Sequence, residues 1–353
     1  MQIAPCARRG ECGILLITFR RNGVVAQLVS ALDCRSGGCG FEPRRPRQSE
    51  KKRRLPRGVM VAPQILILLV GVRVPARQPT HEEKTSATSR GFFVIILMSM
   101  NVLITGASSG IGEALALECA KRGDRLFLCG RDRARLDGVA DACRTAGATV
   151  RADTVDVADE AAMRDWIVSC DADAPLDSVF ANAGVGTGIE DEANVRRTFA
   201  TNVEGVVNAV LPAIEAFRRR GNGGQIVITA SIAGYGPLKS CPAYSATKSC
   251  VKTWGLALRG MLRNEGIKVS VVCPGFVRSR ITDRNTCPMP FFMEADKAAR
   301  IILSRVNRNV GLIAFPWPMR LASWGLSILP FWMNELVNRM LPEKVAAERP
   351  KVL

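Results

Sequence analysis

From residue 98 onwards the sequence predicts an α/β fold, a doubly wound parallel sheet of seven strands with helices on both faces. Apolar runs that are typical of strands alternate with helical stretches along this part of the chain. The runs are continuous in Val, Ile and Leu rather than alternating with polar residues, which indicates strands buried on both faces. A glycine-rich turn joins the first predicted strand to the first predicted helix, as in sheets that bind nucleotides.

The individual elements follow from these patterns in chain order. The predicted strands are MNVLIT, RLFLCG, ATVRADTVDV, LDSVFANAG, GQIVITAS, IKVSVVCPG and VGLIAFP. The predicted helices span residues 110–122, 132–146, 159–171, 192–219, 242–264 and 294–308.

Residues 1–97 have a different character. They are rich in Arg, Pro and Gly, show no sustained period, and hold 17 Lys/Arg against 6 Asp/Glu. The runs VVAQLV, GFEP and VRVP are what the arms of transfer-RNA genes give on translation. We therefore predict that residues 1–97 are a non-native leader and that the native chain starts at Met98 or Met100. The alternative is a disordered basic extension.

Composition excludes several classes of protein and site. The net charge of +17 is concentrated in the leader, so we do not expect binding to nucleic acid. The single histidine, His81, also lies in the leader, which excludes Ser/His/Asp triads, Cys/His dyads and histidine-based metal sites from residues 98–353. The twelve cysteines form no C-x-x-C pair, which favours a reduced, cytoplasmic chain. Three of them are predicted to be core residues: Cys119, Cys129 and Cys273.

The turn TGASSGIG, residues 105–112, is the first candidate binding element. Glycine allows a tight turn and close backbone approach, and the helix N-terminus behind it offers free amides to a pyrophosphate. A plain strand–helix connection is the alternative. The candidate cofactor-binding residues here are Gly106, Ser108, Ser109, Gly110, Ile111 and Gly112.

The end of the second strand indicates which cofactor is bound. An acidic residue there would bond a free ribose 2′-hydroxyl, but the sequence has Cys129 and Gly130, followed by Arg131. A guanidinium can hold a 2′-phosphate, so NADP(H) is favoured over NAD(H). The alternative is a solvated charge at a helix start. After the third strand, Asp156 and Val157 are candidates for contact with adenine.

Two further motifs carry candidate residues. ANAG, residues 181–184, is a small-residue turn in which Asn182, Ala183 and Gly184 can line the cofactor site. Asn202 lies in the middle of a predicted helix, although asparagine is a poor helix former, so a buried role is expected. The alternative for ANAG is an ordinary turn, and the alternative for Asn202 is a surface or capping asparagine.

Tyr244 and Lys248 lie four residues apart and share one helical face. The pKa of a free tyrosine is about 10, too high for a base at neutral pH. We expect the nearby ammonium to lower that pKa. Ser231, at the end of the fifth strand, can bond the same substrate oxygen. Because residues 98–353 lack histidine, the tyrosine must carry any acid–base role there.

In order and spacing, these motifs resemble the short-chain dehydrogenase/reductase family, in its classical subgroup, over residues 98–316. The resemblance implies a Rossmann-type doubly wound sheet of seven parallel strands. It also implies a catalytic tetrad in which Tyr244 exchanges the proton, Lys248 lowers its pKa and binds the ribose, Ser231 holds the substrate oxygen, and Asn202 holds a water.

The resemblance extends to the segment after the sixth strand. It implies that Pro274 and Gly275 lie beside the nicotinamide and that Val277 reaches its carboxamide. Ser279 stands where the family often has threonine, and Ala181 stands where many members have a first asparagine. Both are small departures, because the hydroxyl and the second asparagine are kept.

Residues 279–293 follow in the position of the family's substrate segment. Met289, Phe291, Phe292 and Met293 either form an apolar pocket or pack against a neighbouring helix.

Residues 312–341 are apolar and almost uncharged, with Trp317, Trp324 and Trp332 among them. Tryptophan favours bilayer interfaces, so a monotopic amphipathic hairpin over 312–341 is predicted. The alternatives are a tail that covers the pocket mouth and a dimer interface. Residues 317–353 are predicted to form an apolar, Trp-rich C-terminal tail.

The expected function is an NADP(H)-dependent oxidoreductase that interconverts a carbonyl and a secondary alcohol, with a lipophilic small-molecule substrate. The alternatives are a 3-oxoacyl thioester reductase and a dinucleotide-binding sensor or scaffold without turnover. We expect a homo-oligomer, by analogy with the family, in the cytoplasm and with peripheral contact to the inner face of the membrane. No metal site is expected.

Overall fold

The computed structural model describes residues 14–20, 23–29, 65–73, 90–186, 189–283, 285 and 288–340. The chain divides into two compact units, Met1–Ser99 and Met100–Leu353.

The N-terminal unit contains a four-stranded sheet, which the sequence pattern does not predict. Its strands, Ile14–Arg20, Gly23–Val29, Ile65–Arg73 and Arg90–Met98, lie in the spatial order second, first, fourth, third. A short apolar run without a period of two is still compatible with a strand, which is why periodicity misses them. The origin of residues 1–97 in transfer-RNA-gene DNA stays a prediction.

The second unit is built on the predicted seven-stranded parallel sheet. Its spatial order is β7-β6-β5-β4-β1-β2-β3, and every neighbouring pair is parallel. The order reverses between β1 and β4, and in such sheets ligands bind beyond the carboxyl ends of the strands at this switch point. The strands are β1 Asn101–Thr105, β2 Arg125–Gly130, β3 Thr149–Thr154, β4 Ser178–Ala181, β5 Gly224–Thr229, β6 Ile267–Pro274 and β7 Leu312–Phe315.

The helices of this unit begin and end close to their predicted positions. The predicted long helix at 192–219 is α4 and α5, joined by a π-helical segment at Ala200–Glu204. The helices are α1 Gly110–Ala120, α2 Arg133–Thr145, α3 Glu160–Asp173, α4 Glu192–Phe199, α5 Gly205–Arg220, α6 Pro242–Met261, α7 Ala295–Asn307, α8 Trp317–Ile328 and α9 Phe331–Met340.

The core lies on both faces of the sheet, as expected for a doubly wound fold. Side chains of α3, α5 and α6, such as Trp166 and Phe217, pack on one face. Side chains of α1, α2 and α7, such as Leu115 and Ile302, pack on the other. The prediction that Cys119, Cys129 and Cys273 are core residues is confirmed, since all three are fully buried.

The apolar segment 312–341 is only partly a separate tail. Its first residues form β7, which pairs with β6 from Val271 to Pro274. A membrane hairpin over the whole of 312–341 is therefore wrong, because these residues are held in the sheet by backbone hydrogen bonds. After β7 the chain forms α8 and α9, and among the described residues no helix has the length and apolarity needed to cross a membrane.

Candidate active site

A cleft of about 380 Å³ opens beyond the carboxyl ends of the central strands. Most of the predicted site residues line it: Gly106, Ser108, Ser109, Ile111, Arg131, Val157, Asn182, Ala183, Gly184, Ser231, Tyr244, Lys248, Pro274, Gly275, Val277 and Ser279. The other predicted residues, Gly110, Gly112, Asp156 and Asn202, are not part of the cleft wall.

The glycine-rich turn has a backbone that side chains would obstruct. Gly106 and Gly110 have φ angles of 66° and 60°, in the left-handed region that favours glycine. A Cβ on Gly106 would lie 2.7 Å from the Cα of Ala183, and one on Gly112 would lie 2.2 Å from the Gly106 carbonyl oxygen. Gly112 therefore acts through packing behind the turn, which explains its absence from the cleft wall.

The N-terminus of α1 faces the cleft through this turn. Its N-cap, Ser109, makes no side-chain capping hydrogen bond. Because the first amides of a helix lack intrahelical partners and lie at the positive end of the dipole, they suit an anion such as pyrophosphate.

Asn182 holds the turn in place from β4. Its backbone N–H donates to Thr105 Oγ1 at 3.0 Å, and its Nδ2 donates to the Thr105 carbonyl at 3.2 Å. Its Oδ1 accepts a hydrogen bond from Thr229 Oγ1 at 3.2 Å. This side chain thus links β1, β4 and β5 where the strands end, so it shapes the cleft in addition to lining it.

Asn202 is fully buried, as expected from its place in the middle of a helix. It lies in the π-helical segment, where its Oδ1 accepts from Val185 N at 2.8 Å and its Nδ2 donates to Val185 O at 2.9 Å. A second bond from Nδ2 reaches Thr247 Oγ1 at 3.1 Å. Asn202 therefore joins the loop after β4 to the helix that carries Tyr244, and its water-holding role stays a prediction.

Ser231, Tyr244 and Lys248 meet at the inner end of the cleft. Lys248 is 2% exposed, and its Nζ donates to the Thr229 carbonyl at 2.9 Å. That nitrogen lies 5.8 Å from the ring centroid of Tyr244. The Ser231 hydroxyl favours the charged form of the Tyr244 phenol. Its Oγ accepts from Ala233 N at 3.1 Å and donates to the Pro274 carbonyl at 3.5 Å.

Burial controls the protonation of both catalytic candidates. It raises the pKa of Tyr244 to about 12, and the hydrogen bond from Ser231 offsets only part of that rise. Burial also lowers the pKa of Lys248 to about 8. In this structure the phenol's pKa is raised and not lowered as expected, because desolvation outweighs the effect of Ser231.

The outer end of the cleft is charged and solvent-exposed. Gly130 and Arg131 follow β2, with no acidic side chain at the position that would bond a ribose 2′-hydroxyl. Arg131 Nη1 lies 3.9 Å from Oδ2 of Asp156. Asp156 uses its Oδ1 to accept a hydrogen bond from Ala158 N at 3.1 Å, and its contact with adenine stays a prediction.

Sequence reasoning missed several residues of the cleft wall. Arg135 lies in the first turn of α2, which begins two residues after Arg131. Arg197 and Thr201 lie four residues apart on the helical stretch that leads to Asn202. The other residues missed are Gly130, Asp132, Val155, Val185, Gly186, Thr229, Ala230, Arg280, Ile281 and Thr282.

The aromatic part of segment 279–293 does not line the cleft. Phe291 is 58% exposed, and Phe292 lies under the Arg278 guanidinium at 5.5 Å. Met293 pairs with Val277 in an isolated bridge and packs on the core. The cleft is lined instead by the start of the segment, residues 279–282. Met293 thus follows the packing alternative, whereas an apolar pocket formed by Met289, Phe291 and Phe292 stays a prediction.

The arrangement fits a dinucleotide better than a metal ion. The glycine turn, the uncapped N-terminus of α1 and the buried Lys248 line one continuous cleft. Gly184 leaves room beside the lysine, since a Cβ there would lie 3.2 Å from Nζ. The described residues contain no group of three or more His, Cys, Asp or Glu side chains that could hold a metal ion.

Comparison with known proteins identifies the fold family. The family model of the short chain dehydrogenases matches residues 100–287. An uncharacterized oxidoreductase of Myxococcus xanthus is 38% identical over 247 residues, which cover 68% of this chain and 96% of that protein.

Solved structures agree with this match. A short-chain dehydrogenase from Sphingobium yanoikuyae in complex with NADPH has a TM-score of 0.58 and 27% identity, over 70% of this chain and 99% of that one. A short chain dehydrogenase/reductase from Burkholderia phymatum in complex with NAD has a TM-score of 0.61 and 25% identity, over 72% and 99%. With this fold, this cleft and these matches, the chain belongs to the short-chain dehydrogenase/reductase family and is an oxidoreductase with a nicotinamide dinucleotide cofactor.

Proposed function

We propose that the chain is an NADP(H)-dependent oxidoreductase that interconverts a carbonyl and a secondary alcohol, with Tyr244 as general acid and base. The observation that carries the proposal is the meeting of Ser231, Tyr244 and Lys248 at the inner end of a cleft whose outer end bears the glycine turn and Arg131.

Each of these side chains has a defined task. The Tyr244 phenol exchanges a proton with the substrate oxygen, and the Ser231 hydroxyl holds that oxygen by a hydrogen bond. The Lys248 ammonium, fixed by the Thr229 carbonyl, binds ribose hydroxyls and favours the phenolate electrostatically. A nicotinamide held in this cleft would supply or accept the hydride.

Burial favours the protonated form of Tyr244. With a pKa raised to about 12 by burial, the phenol is protonated at neutral pH. That is the form needed to donate a proton to a carbonyl oxygen.

Arg131 and Arg135 support NADP(H) as the cofactor. Both line the outer end of the cleft, and a guanidinium bonds a 2′-phosphate in a bidentate manner. Arg135 is bonded to Asp132 at 2.8 Å, so Arg131, with a carboxylate only at 3.9 Å, is the more available of the two.

The test is a panel of ketones assayed with NADPH and with NADH in parallel, by loss of cofactor absorbance. We expect turnover with NADPH to exceed that with NADH. Binding of NADPH without turnover of any ketone would favour a sensor or scaffold and would contradict the proposal.

A lipophilic substrate is supported by the wall beside the phenol. A Cβ on Gly186 would lie 3.1 Å from the Tyr244 ring and 3.3 Å from Ile281 Cγ2, so apolar groups surround this point.

The second candidate, a 3-oxoacyl thioester, is favoured by Arg197 and Arg280, which line the same cleft and suit an anionic carrier group. Acetoacetyl-CoA assayed against 2-decanone distinguishes the two, since the thioester reductase prefers the former.

We also propose that α8 and α9 bind an anionic phospholipid surface. Trp317, Leu321, Trp324 and Ile328 recur at helical spacing on one face of α8, and Trp332 and Leu336 continue the exposed surface on α9. These six side chains are between 53% and 74% exposed. Arg320 is exposed on α8, and no acidic residue occurs between Asp296 and Glu335, so the surface is positive at its edge. Tryptophan and basic residues suit a bilayer interface.

Sedimentation with vesicles of phosphatidylcholine and phosphatidylglycerol tests this surface. We expect Trp317→Ser combined with Trp324→Ser to reduce binding at least fivefold, by loss of buried apolar area. Met261→Ser, which changes an exposed apolar side chain elsewhere, is the matched control. Equal binding by the double variant, or a change only in its oligomeric state, would contradict the proposal.

A homo-oligomer and a cytoplasmic location remain predictions. Light scattering after size-exclusion chromatography tests the first, and fractionation of native cells tests the second. A monomer at micromolar concentration would contradict the predicted homo-oligomer.

A further inference from the structure

A second tyrosine–lysine pair lies behind the active site and has no part in the proposed chemistry. Lys252 Nζ lies 4.1 Å from the ring centroid of Tyr235 and donates a hydrogen bond to the Gly234 carbonyl at 2.5 Å. On α6, Lys252 is one turn beyond Lys248 and two turns beyond Tyr244, so it continues the catalytic face of the helix.

This pair holds a short turn that carries Ser231. The turn is a 3₁₀ helix, Ile232–Tyr235, and Ser231 is its N-cap through the bond from Ala233 N to Oγ. Gly234 lies so close to α6 that a Cβ there would be 2.6 Å from the carbonyl carbon of Lys248. The turn and α6 are thus in backbone contact, and Lys252 bonds across that contact.

The chemistry of the pair explains why a lysine is needed here. Lys252 is partly buried, and burial lowers its pKa. The charged ammonium therefore needs polar contacts that replace the water it loses. The Gly234 carbonyl and the face of the Tyr235 ring provide them. The Tyr235 hydroxyl is buried without a hydrogen-bond partner among the described residues, so the ring and not the hydroxyl contributes to this contact.

We propose that Lys252 is a positioning residue that fixes Ser231 relative to Tyr244. It ties the turn that begins at Ser231 to the helix that carries Tyr244, and so sets the position of the Ser231 hydroxyl relative to the Tyr244 phenol. The expected effect of Lys252 on turnover rests on the proposed function. The placement of Ser231 by Lys252 does not depend on it.

A spectroscopic test uses the fact that the chain contains only two tyrosines, Tyr235 and Tyr244. Tyrosine labelled with ¹³C at Cζ gives two NMR signals, and Tyr235→Phe assigns them. We expect Lys252→Met to move the Tyr244 signal in the same direction as Ser231→Ala. In the Ser231→Ala background, Lys252→Met should then move it no further. A Tyr244 signal unchanged by Lys252→Met would overturn the proposal.

A kinetic test uses the same variants with NADPH and 2-decanone. We expect Lys252→Met to lower kcat about tenfold, because a small misplacement of Ser231 weakens its hold on the oxygen, with NADPH affinity within twofold of the original. Combined with Ser231→Ala, it should lower kcat no further. Fully additive losses would overturn the proposal. If the original chain reduces no ketone, the proposed function fails while the NMR signals still decide the positioning.

Two substitutions separate positioning from a general loss of folding. Lys252→Arg keeps both the cation over the ring and a donor, and should restore most of kcat. Tyr235→Phe removes a hydroxyl without a partner and should leave kcat within twofold of the original. A tenfold loss in Tyr235→Phe, or no recovery in a folded Lys252→Arg, would contradict the arrangement.

Discussion

The two ends of the cleft are built in opposite ways. At the inner end Lys248 is 2% exposed and Ser231 is 8% exposed, and both are held by hydrogen bonds to neighbouring strands or turns. At the outer end the side chain of Arg131 is 50% exposed and lies 3.9 Å from its nearest carboxylate.

This difference shows which side chains of the cleft are held in fixed positions. In a low-dielectric interior a misplaced charge or hydroxyl loses much of its interaction energy, so the reacting groups are fixed in advance. An exposed guanidinium interacts weakly with its neighbours and is free to close on a ligand. We therefore expect substitutions at the inner end to change turnover and stability, and substitutions at the outer end to change cofactor preference.

The largest effect is expected from Tyr244→Phe. It removes the proton donor and keeps the ring, so turnover with NADPH and 2-decanone should fall about 10³-fold. NADPH affinity, measured by fluorescence titration, should stay within threefold. Residual turnover within tenfold of the original chain would show that another group moves the proton.

Lys248→Met should lower turnover, by less than Tyr244→Phe does, but stabilise the fold. Burial lowers the lysine's pKa from 10.5 to about 8, so the charged form is disfavoured in the folded chain. Replacing it with an apolar side chain should raise the free energy of unfolding by about 2 kcal/mol at pH 7. This value allows for the lost hydrogen bond from Lys248 Nζ to the Thr229 carbonyl, which offsets part of the gain.

The pH dependence of this gain follows from proton linkage. Between pH 8 and pH 10.5 the unfolded chain binds more protons at Lys248 than the folded chain, so the original chain becomes more stable as the pH rises. The advantage of Lys248→Met should be full below pH 8 and fade towards pH 10.5. Denaturant unfolding at several pH values measures it, and an advantage that grows with pH would contradict this account.

Arg131→Ala should change cofactor preference by a smaller factor. Loss of a guanidinium that bonds a 2′-phosphate should weaken NADPH about tenfold to 30-fold and leave NADH within twofold. Arg133→Ala is the matched control, because Arg133 is exposed, bonded to Asp137, and not part of the cleft wall. Equal weakening of both cofactors by Arg131→Ala would place the arginine away from the ribose.

The smallest effect is expected from Asp156→Asn. This carboxylate is half exposed and meets Arg131 only at 3.9 Å, which makes a weak ion pair. NADPH affinity should change by less than threefold. A tenfold loss would instead indicate that Asp156 bonds the adenine, as the sequence pattern suggests.

Much of the site can be predicted from local sequence patterns. The glycine turn, ANAG, Ser231 and the Tyr244–Lys248 pair are recognisable because each pattern is short and its geometry is local. Even the buried state of Asn202 follows from an asparagine in the middle of a helix, at what proves to be a π-helical segment. The order of strands and helices is equally local, since apolar runs and helical periods repeat within a few residues.

Local sequence is enough to predict which elements form and which residue types end the strands, because those features depend on backbone preferences and neighbouring side chains. Two outcomes needed the folded chain: burial raises the pKa of Tyr244, and Lys252 reaches the turn of Ser231. These outcomes depend on desolvation and on contacts between segments distant in the chain, and neither is encoded in a local pattern.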